Sequence, residues 1–335
     1  MWSLFATLVA VALLIDFFAM RKQGAHQVSI REAAIWSLVW VALSFLFMGW
    51  MWWHLGGTSA DPAQQAVANT KSLEFLTGYL VEKALAVDNV FVFLMLFTYF
   101  AVPQEFQKRV LMIGILGALA LRAVMILIGA WAISRFHWIL YFFGAFLLFT
   151  GIKMWWAAGQ EPDLESNPAL KWVRRRMRIS PHYDGERFTT MHAGERMATP
   201  LAVVVILVGI VDVIFAVDSI PAIFAITTDT FIVLTSNVFA ILGLRAMYFL
   251  LAGMHERFHL LTYGLALVLV LIGMKMLLID IYKIPVAWSL LATVGILASA
   301  MALSLLIPPK GREPRGAYPF SSGKRESEKS RDAAD

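Results

Sequence analysis

The chain contains no cysteine in its 335 residues, which excludes disulfides and thiolate metal sites. Charge is scarce as well. Only 15% of residues are charged, against about 25% in soluble globular domains. Histidine is missing from the apolar interior of the sequence: all seven (His26, His54, His137, His182, His192, His255, His259) fall in loops or at the ends of apolar runs. An imidazole-based zinc or copper site therefore has no ligand at membrane depth. The first twenty residues lack a basic leader, and Arg21-Lys22 follow where a small-residue cleavage site would stand. They read as a retained helix, not a signal peptide.

What is present is apolar length. Hydrophobic residues make up 59% of the chain and the mean hydropathy is +0.70. A membrane-spanning helix needs roughly 20 mostly apolar residues. Nine stretches qualify: 2–20, 35–55, 75–100, 110–132, 137–157, 200–226, 231–253, 260–280 and 286–307. The net charge of +5 and pI near 9.4 reflect topology and not nucleic-acid binding, because the basic residues sit in a few loops and the tail. With the N-terminus outside, twenty Lys and Arg fall in inner loops and the tail, and only Lys71, Arg135 and Lys283 fall outside. That asymmetry predicts an N-out, C-in orientation. The expected fold is an all-α polytopic membrane protein of about nine transmembrane helices. Within the long inner loop 158–199, Leu170 to Arg178 reads as a short basic helix, either lying on anionic headgroups or solvated. Arg187 to Thr199 reads as a small hairpin around His192-Ala193-Gly194. Residues 308–335, rich in Pro, Gly, Ser and charge, read as a disordered cytoplasmic tail.

The sequence repeats itself. Arg135-Phe136-His137 is echoed by Arg257-Phe258-His259, Tyr141 by Tyr263, and Gly151-Ile152-Lys153-Met154 by Gly273-Met274-Lys275-Met276. Arg122-Ala123 matches Arg245-Ala246, and Ala86-Val87-Asp88-Asn89 matches Ala216-Val217-Asp218-Ser219. Agreement in order across three helices implies duplication. The domain plan is then two N-terminal helices (1–71), repeat 1 (72–157), the inner loop (158–199), repeat 2 (200–282), a last helix (283–307) and the tail (308–335). Each repeat has three spans, so the second copy inserts upside down, and inverted repeats place a substrate site near the midplane.

Both copies carry charge where lipid should be, at about 2.5–3.5 kcal/mol per charge on insertion scales. Lys153 and Lys275 sit near helix ends and can snorkel. Glu82, Lys83, Asp88, Arg122, Asp212, Asp218 and Arg245 are deep. Glu82 and Asp88 are six residues apart, as are Asp212 and Asp218, a spacing that places them on different helix faces. They converge only if the helix unwinds or if partners come from other helices. Pro221, three residues after Asp218, predicts a helix break that frees carbonyls near Val217 and Asp218; a break near Asp88-Asn89 follows by symmetry. Carboxylates, the Asn89 amide, the Ser219 hydroxyl and freed carbonyls are hard oxygen donors, suited to magnesium, calcium or manganese. Lys83, Arg122 and Arg245 are candidate charge partners for the carboxylates. A set of purely structural ion pairs is the competing reading.

The stretches FLTGYLVEKALAVDNVFVFLMLF (75–97) and DVIFAVDSIPAIFAITTDTFIVLTSNVFAILGLRAMYFLLAG (212–253) resemble the TerC family, in particular its Alx-like branch; REAAIWSLVW (31–40) and YFFGAFLLFTGIKM (141–154) fit it too. The resemblance covers about residues 5–305. It implies a multi-pass protein of the bacterial inner membrane in the LysE-like transporter superfamily. The implied role is export of manganese(II), with tellurite resistance and alkaline response as older labels. By motif match, Glu82, Asp88 and Asn89 with Asp212, Asp218 and Ser219 take the family's metal positions. One departure stands out: Gly209 occupies a position where the family usually has glutamate. The expectation is a non-enzymatic transporter whose substrate is manganese(II), exchanged for protons, with no tightly bound cofactor. The alternative is a membrane scaffold or assembly factor acting through its tail and inner loop. An intramembrane aspartyl protease fits the aspartates but not the wider oxygen-donor set or the repeat.

Overall fold

Capping residues decide where several helices begin. In the computed structural model, Asp61 accepts from the Ala63 backbone N–H at 3.0 Å and Pro62 follows at the first helical position, starting α3. Thr199 and Pro200 start α7 in the same way, and Asp229 caps α8 through the Phe231 N–H at 3.0 Å. A side-chain oxygen here satisfies a donor the helix itself cannot. The structure describes residues 1–23, 30–136, 138–158, 168–192, 195–252, 260–282 and 284–307. The tail and the Arg257-Phe258-His259 copy of the repeat lie outside them.

The helices are α1 (Trp2–Gln23), α2 (Ile30–His54), α3 (Pro62–Tyr99), α4 (Gln104–Arg135), α5 (Ile139–Ala157), α6 (Pro168–Arg176), α7 (Pro200–Phe224), α8 (Thr230–Leu242), α9 (Leu244–Ala252), α10 (Leu261–Leu277) and α11 (Val286–Leu306). Each of the nine apolar stretches is helical, the seventh as the pair α8–α9. Among the described residues, five helices (α2, α4, α5, α7 and α11) are long and apolar enough to cross a membrane, and α8 with α9, bent by 42°, would make a sixth. Large apolar side chains on the outer faces are exposed, including Trp131, Trp156 and Leu306, as a lipid-facing surface requires.

Between α6 and α7, strands β1 (Thr189–His192) and β2 (Glu195–Ala198) form the expected antiparallel hairpin, with Thr189 opposite Ala198. The basic helix α6 forms, but it does not spend its apolar side on lipid. Leu170 and Val173 are buried, with Met177 against them, in a cluster that includes Leu201 and Leu207 of α7. Protein packing outcompetes the headgroup surface for this face.

The expected helix breaks lie elsewhere. α7 runs through Pro221 to Phe224, and α3 is unbroken past Asp88-Asn89 to Tyr99. Pro221 sits in the last turn of α7, where few further hydrogen bonds remain to be lost. The observed break is at Gly243, between α8 and α9. A β-carbon there would stand 2.7 Å from Lys83 Nζ and 3.1 Å from Trp40 Cβ, so a larger residue would have to displace the lysine tip and crowd Trp40. Lys83 Nζ donates to the Ala240 carbonyl at 3.2 Å, placing an ammonium at the negative end of α8.

α5 and α10 pack closest of all. A β-carbon on Gly144 would meet the Gly273 carbonyl at 3.2 Å, one on Gly273 the Gly144 carbonyl at 2.8 Å, and one on Gly151 the Ala266 carbonyl at 2.8 Å. The small residues bring the two backbones together, a common basis of helix association in lipid.

Candidate functional site

Among the described residues three apolar clusters fill the bundle, one of them around Phe47, Phe75 and Phe239, and the other two meet along α3, α4 and α7. Of these two, one includes Ala86, Val90, Ile115 and Val208; the other includes Val81, Leu85, Ile126 and Ala216. Three helices pass from one cluster to the other, and each carries an ionisable residue at the crossing or within about a turn of it: Glu82 on α3, one turn before Ala86, Arg122 on α4 and Asp212 on α7. On α7 the order Val208, Asp212, Ala216 follows one helix face at four-residue spacing.

These three side chains are brought together. Arg122 Nη1 is paired with Glu82 Oε1, and Arg122 Nη2 lies 3.9 Å from Asp212 Oδ1. All three are buried, Glu82 completely. Two carboxyl groups share one guanidinium, so acidic groups outnumber basic ones in the cluster. Glu82 Oε2, Asp212 Oδ2 and Arg122 Nε have no hydrogen-bond partner. Such atoms are costly to bury, so the cluster has unspent capacity to coordinate. Glu82 of α3 thus meets Asp212 of α7 through an arginine of α4, not by helix unwinding.

The remaining predicted residues fall into three groups. Asn89 and Ser219 are buried, and Ser219 Oγ has no hydrogen-bond partner. Asp88 and Asp218 lie on continuous helix, but their side chains are outside the described residues. Lys83 and Arg245 are not at the cluster. Lys83 serves the Ala240 carbonyl, and Arg245 lines a small cavity with Glu32, Trp36, Trp40 and Lys108. Among the described residues no three His, Asp or Glu side chains gather as a metal site. Gly209 is on the exposed side of α7, and a β-carbon there would meet nothing within 4 Å. A glutamate at this position would start from the outer face and not from the Arg122 cluster.

A second polar group went unread in the sequence. Glu74 lies two turns before Glu82 on α3, on the same face and about 12 Å along the axis. Its Oε2 accepts from Thr227 Oγ1 at 2.7 Å, and Lys71 Nζ stands 3.1 Å from both Glu74 Oε2 and Asp229 Oδ2. This group ties α3 to the α7–α8 connection. The sequence gives no sign of this group, because Glu74 meets Thr227 across 153 residues and Asp229 meets Lys71 from the far side of the same gap.

At the other end of α3, Tyr183 donates to the Phe100 carbonyl at 2.7 Å, and burial pushes its phenol up to about 12. Arg109 pairs with Glu186 at 2.6 Å and lies over the Phe188 ring at 5.1 Å. The segment between α6 and α7 is thereby docked on α3 and α4.

Residues 67–312 match the family described as "Integral membrane protein TerC family". The chain is 54% identical over 316 residues to the "Putative membrane-bound redox modulator Alx" of Escherichia coli (strain K12), covering 94% of this chain and 97% of that protein. It is 53% identical over 307 residues to the protein of the same name from Photorhabdus laumondii, covering 92% and 95%. It is 44% identical over 306 residues to "Uncharacterized membrane protein STKORF319" of Myxococcus xanthus, covering 91% and 92%. No solved structure matches the chain.

Proposed function

This chain belongs to the TerC family of multi-pass integral membrane proteins, and from that membership we propose that it is a secondary transporter exporting manganese(II) in exchange for protons. The observation that carries this reading is the Glu82–Arg122–Asp212 cluster. It is acidic, buried, incompletely hydrogen-bonded and built from both halves of the chain. Ionisable residues in the interior of membrane bundles mark ion and proton pathways. In the resting state Arg122 occupies the space between the two carboxylates. The substrate cation draws Glu82 and Asp212 from the guanidinium; protons arriving from the other side neutralise the carboxylates and release the cation, and loss of those protons on the loading side restores the pairing with Arg122. Asp88, Asn89, Asp218 and Ser219 extend the set of hard oxygen donors, which favours manganese, magnesium or calcium over thiophilic metals.

Contacts between the halves support the inverted repeat that alternating access needs. Residues 144 and 151 correspond to 266 and 273 at the offset of 122. The Gly144–Gly273 contact therefore exchanges with the Ala266–Gly151 contact. The hydroxyl of Tyr141 hydrogen-bonds Asp280, and that of Tyr263 donates to the carbonyl of Ala158 at 2.9 Å; the same offset exchanges these too. In this reading nine spans, N-out and C-in, rock one three-helix unit against the other. The word "redox" in the relatives' printed name finds no thiol chemistry here, since the chain has no cysteine.

The test is manganese tolerance in an exporter-deficient bacterium. Asp88→Asn and Asp218→Asn should each abolish protection at unchanged protein level, and protection equal to wild type sinks the carboxylate site. Deleting 310–335 separates the scaffold alternative: a transporter survives the deletion, whereas a tail-dependent scaffold does not.

A further inference from the structure

One face of α8 spans the boundary that α3, α4 and α7 cross, while Ile232, Val238, Phe239 and Leu242 pack into the third cluster. Val233 belongs to one of the two clusters that meet there and Ile241 to the other. Asn237 lies midway between them on the same face, at four-residue spacing from each. It is completely buried, and neither Oδ1 nor Nδ2 has a hydrogen-bond partner. Its neighbours on α8 are spent: Thr235 Oγ1 donates to the Phe231 carbonyl at 2.7 Å and Ser236 Oγ to the Val233 carbonyl at 3.3 Å. The register against α3 gives the depth. A β-carbon on Gly78 would stand 2.8 Å from Ser236 Oγ, and Lys83 Nζ reaches the Ala240 carbonyl at 3.2 Å. Asn237 therefore lies level with the turn of α3 between Gly78 and Glu82.

We infer that Asn237 is a fourth polar member of the intramembrane site and that its amide oxygen is a ligand for the hard divalent cation the protein carries. The inference rests on the transport reading and adds a residue to it. Four helices bring one polar group each to one seam: two carboxylates, a guanidinium and an amide. An amide oxygen is a hard donor without charge, so it adds coordination without adding to the repulsion between Glu82 and Asp212. A purely structural asparagine at this depth would be hydrogen-bonded on both amide atoms.

The experiment is manganese(II) binding to the purified full-length chain in detergent, read from the paramagnetic resonance signal of the free aqua ion. Asn237→Ala should weaken binding by about tenfold or more. Asn237→Asp, nearly the same shape, should tighten it severalfold at pH 7 and make it fall more steeply on acidification. Asn237→Ala binding within about twofold of wild type overturns the inference. If the alanine variant does not fold, the aspartate variant decides alone, and unchanged affinity and pH dependence overturn it. Wild type that fails to bind manganese(II) removes the transport reading and this ligand together. Wild type that binds, with indifferent variants, removes only Asn237.

Discussion

Arg122 illustrates how one side chain can hold a membrane interior together. Its guanidinium faces Glu82 and Asp212 with almost no solvent, so its removal leaves two uncompensated buried carboxylates. Arg122→Leu should cost about 3–5 kcal/mol, measured as a lower unfolding midpoint in detergent. Adding Glu82→Gln and Asp212→Asn should recover much of that loss, because it removes the charges left unpaired. A second residue-scale prediction concerns Ala101. Its φ is +48°, in a region where a β-carbon is disfavoured. The Val102 N–H bonds the Phe97 carbonyl at 2.8 Å and the Ala101 N–H the Thr98 carbonyl at 3.1 Å, closing α3 with a motif that usually employs glycine. Ala101→Gly should therefore stabilise the protein by about 0.5–1 kcal/mol in the same assay.

The segment docked between α6 and α7 depends on the Tyr183 hydroxyl. The phenol's folded value is raised above its ordinary 10.0 to about 12, so the proton favours the docked state. That contribution is complete below pH 10 and is lost as pH rises through about 12. Protease cleavage within 179–199 should accordingly become faster across this window. Tyr183→Phe should weaken docking by about 1 kcal/mol at neutral pH and remove the alkaline dependence. At the α5–α10 contact, Gly273→Val inserts three carbons where one would already stand 2.8 Å from a carbonyl. Accumulation of folded protein should collapse, with Gly209→Val as a control that meets open space.

The elements were legible because a long apolar run has few alternatives in lipid, and each predicted stretch is helical. The hairpin was legible from its alternation. The breaks were misread because proline was taken as a stronger signal than glycine. Pro221 lies too near the end of α7 to interrupt it, whereas Gly243 leaves room for the approach of Lys83 and Trp40, a tertiary fact with no local signature. The site was partly legible: the costly charges were visible one by one. Which of them meet was not, since Glu82, Arg122 and Asp212 come from three helices. Asn237 was hidden because a single amide in an apolar run looks like any polar interruption.

At the scale of the whole molecule, the Glu82–Arg122–Asp212 group lies near where two of the apolar clusters meet, and polar contacts tie the helices together toward both ends of α3. Toward its start, Lys71, Glu74, Thr227 and Asp229 link α3 to the α7–α8 connection. Toward its end, the segment between α6 and α7 is fastened through Tyr183, Glu186 and Phe188. The α5–α10 contact also sets a timetable for synthesis. α5 is complete at Ala157 and α10 starts at Leu261, roughly a hundred residues later. At about 5–20 residues per second the ribosome needs roughly 5 to 20 s to deliver the partner. During that interval Gly144 and Gly151 of the nascent chain face lipid or insertion machinery instead of Gly273 and Ala266, so the first half cannot finish folding before the second is made.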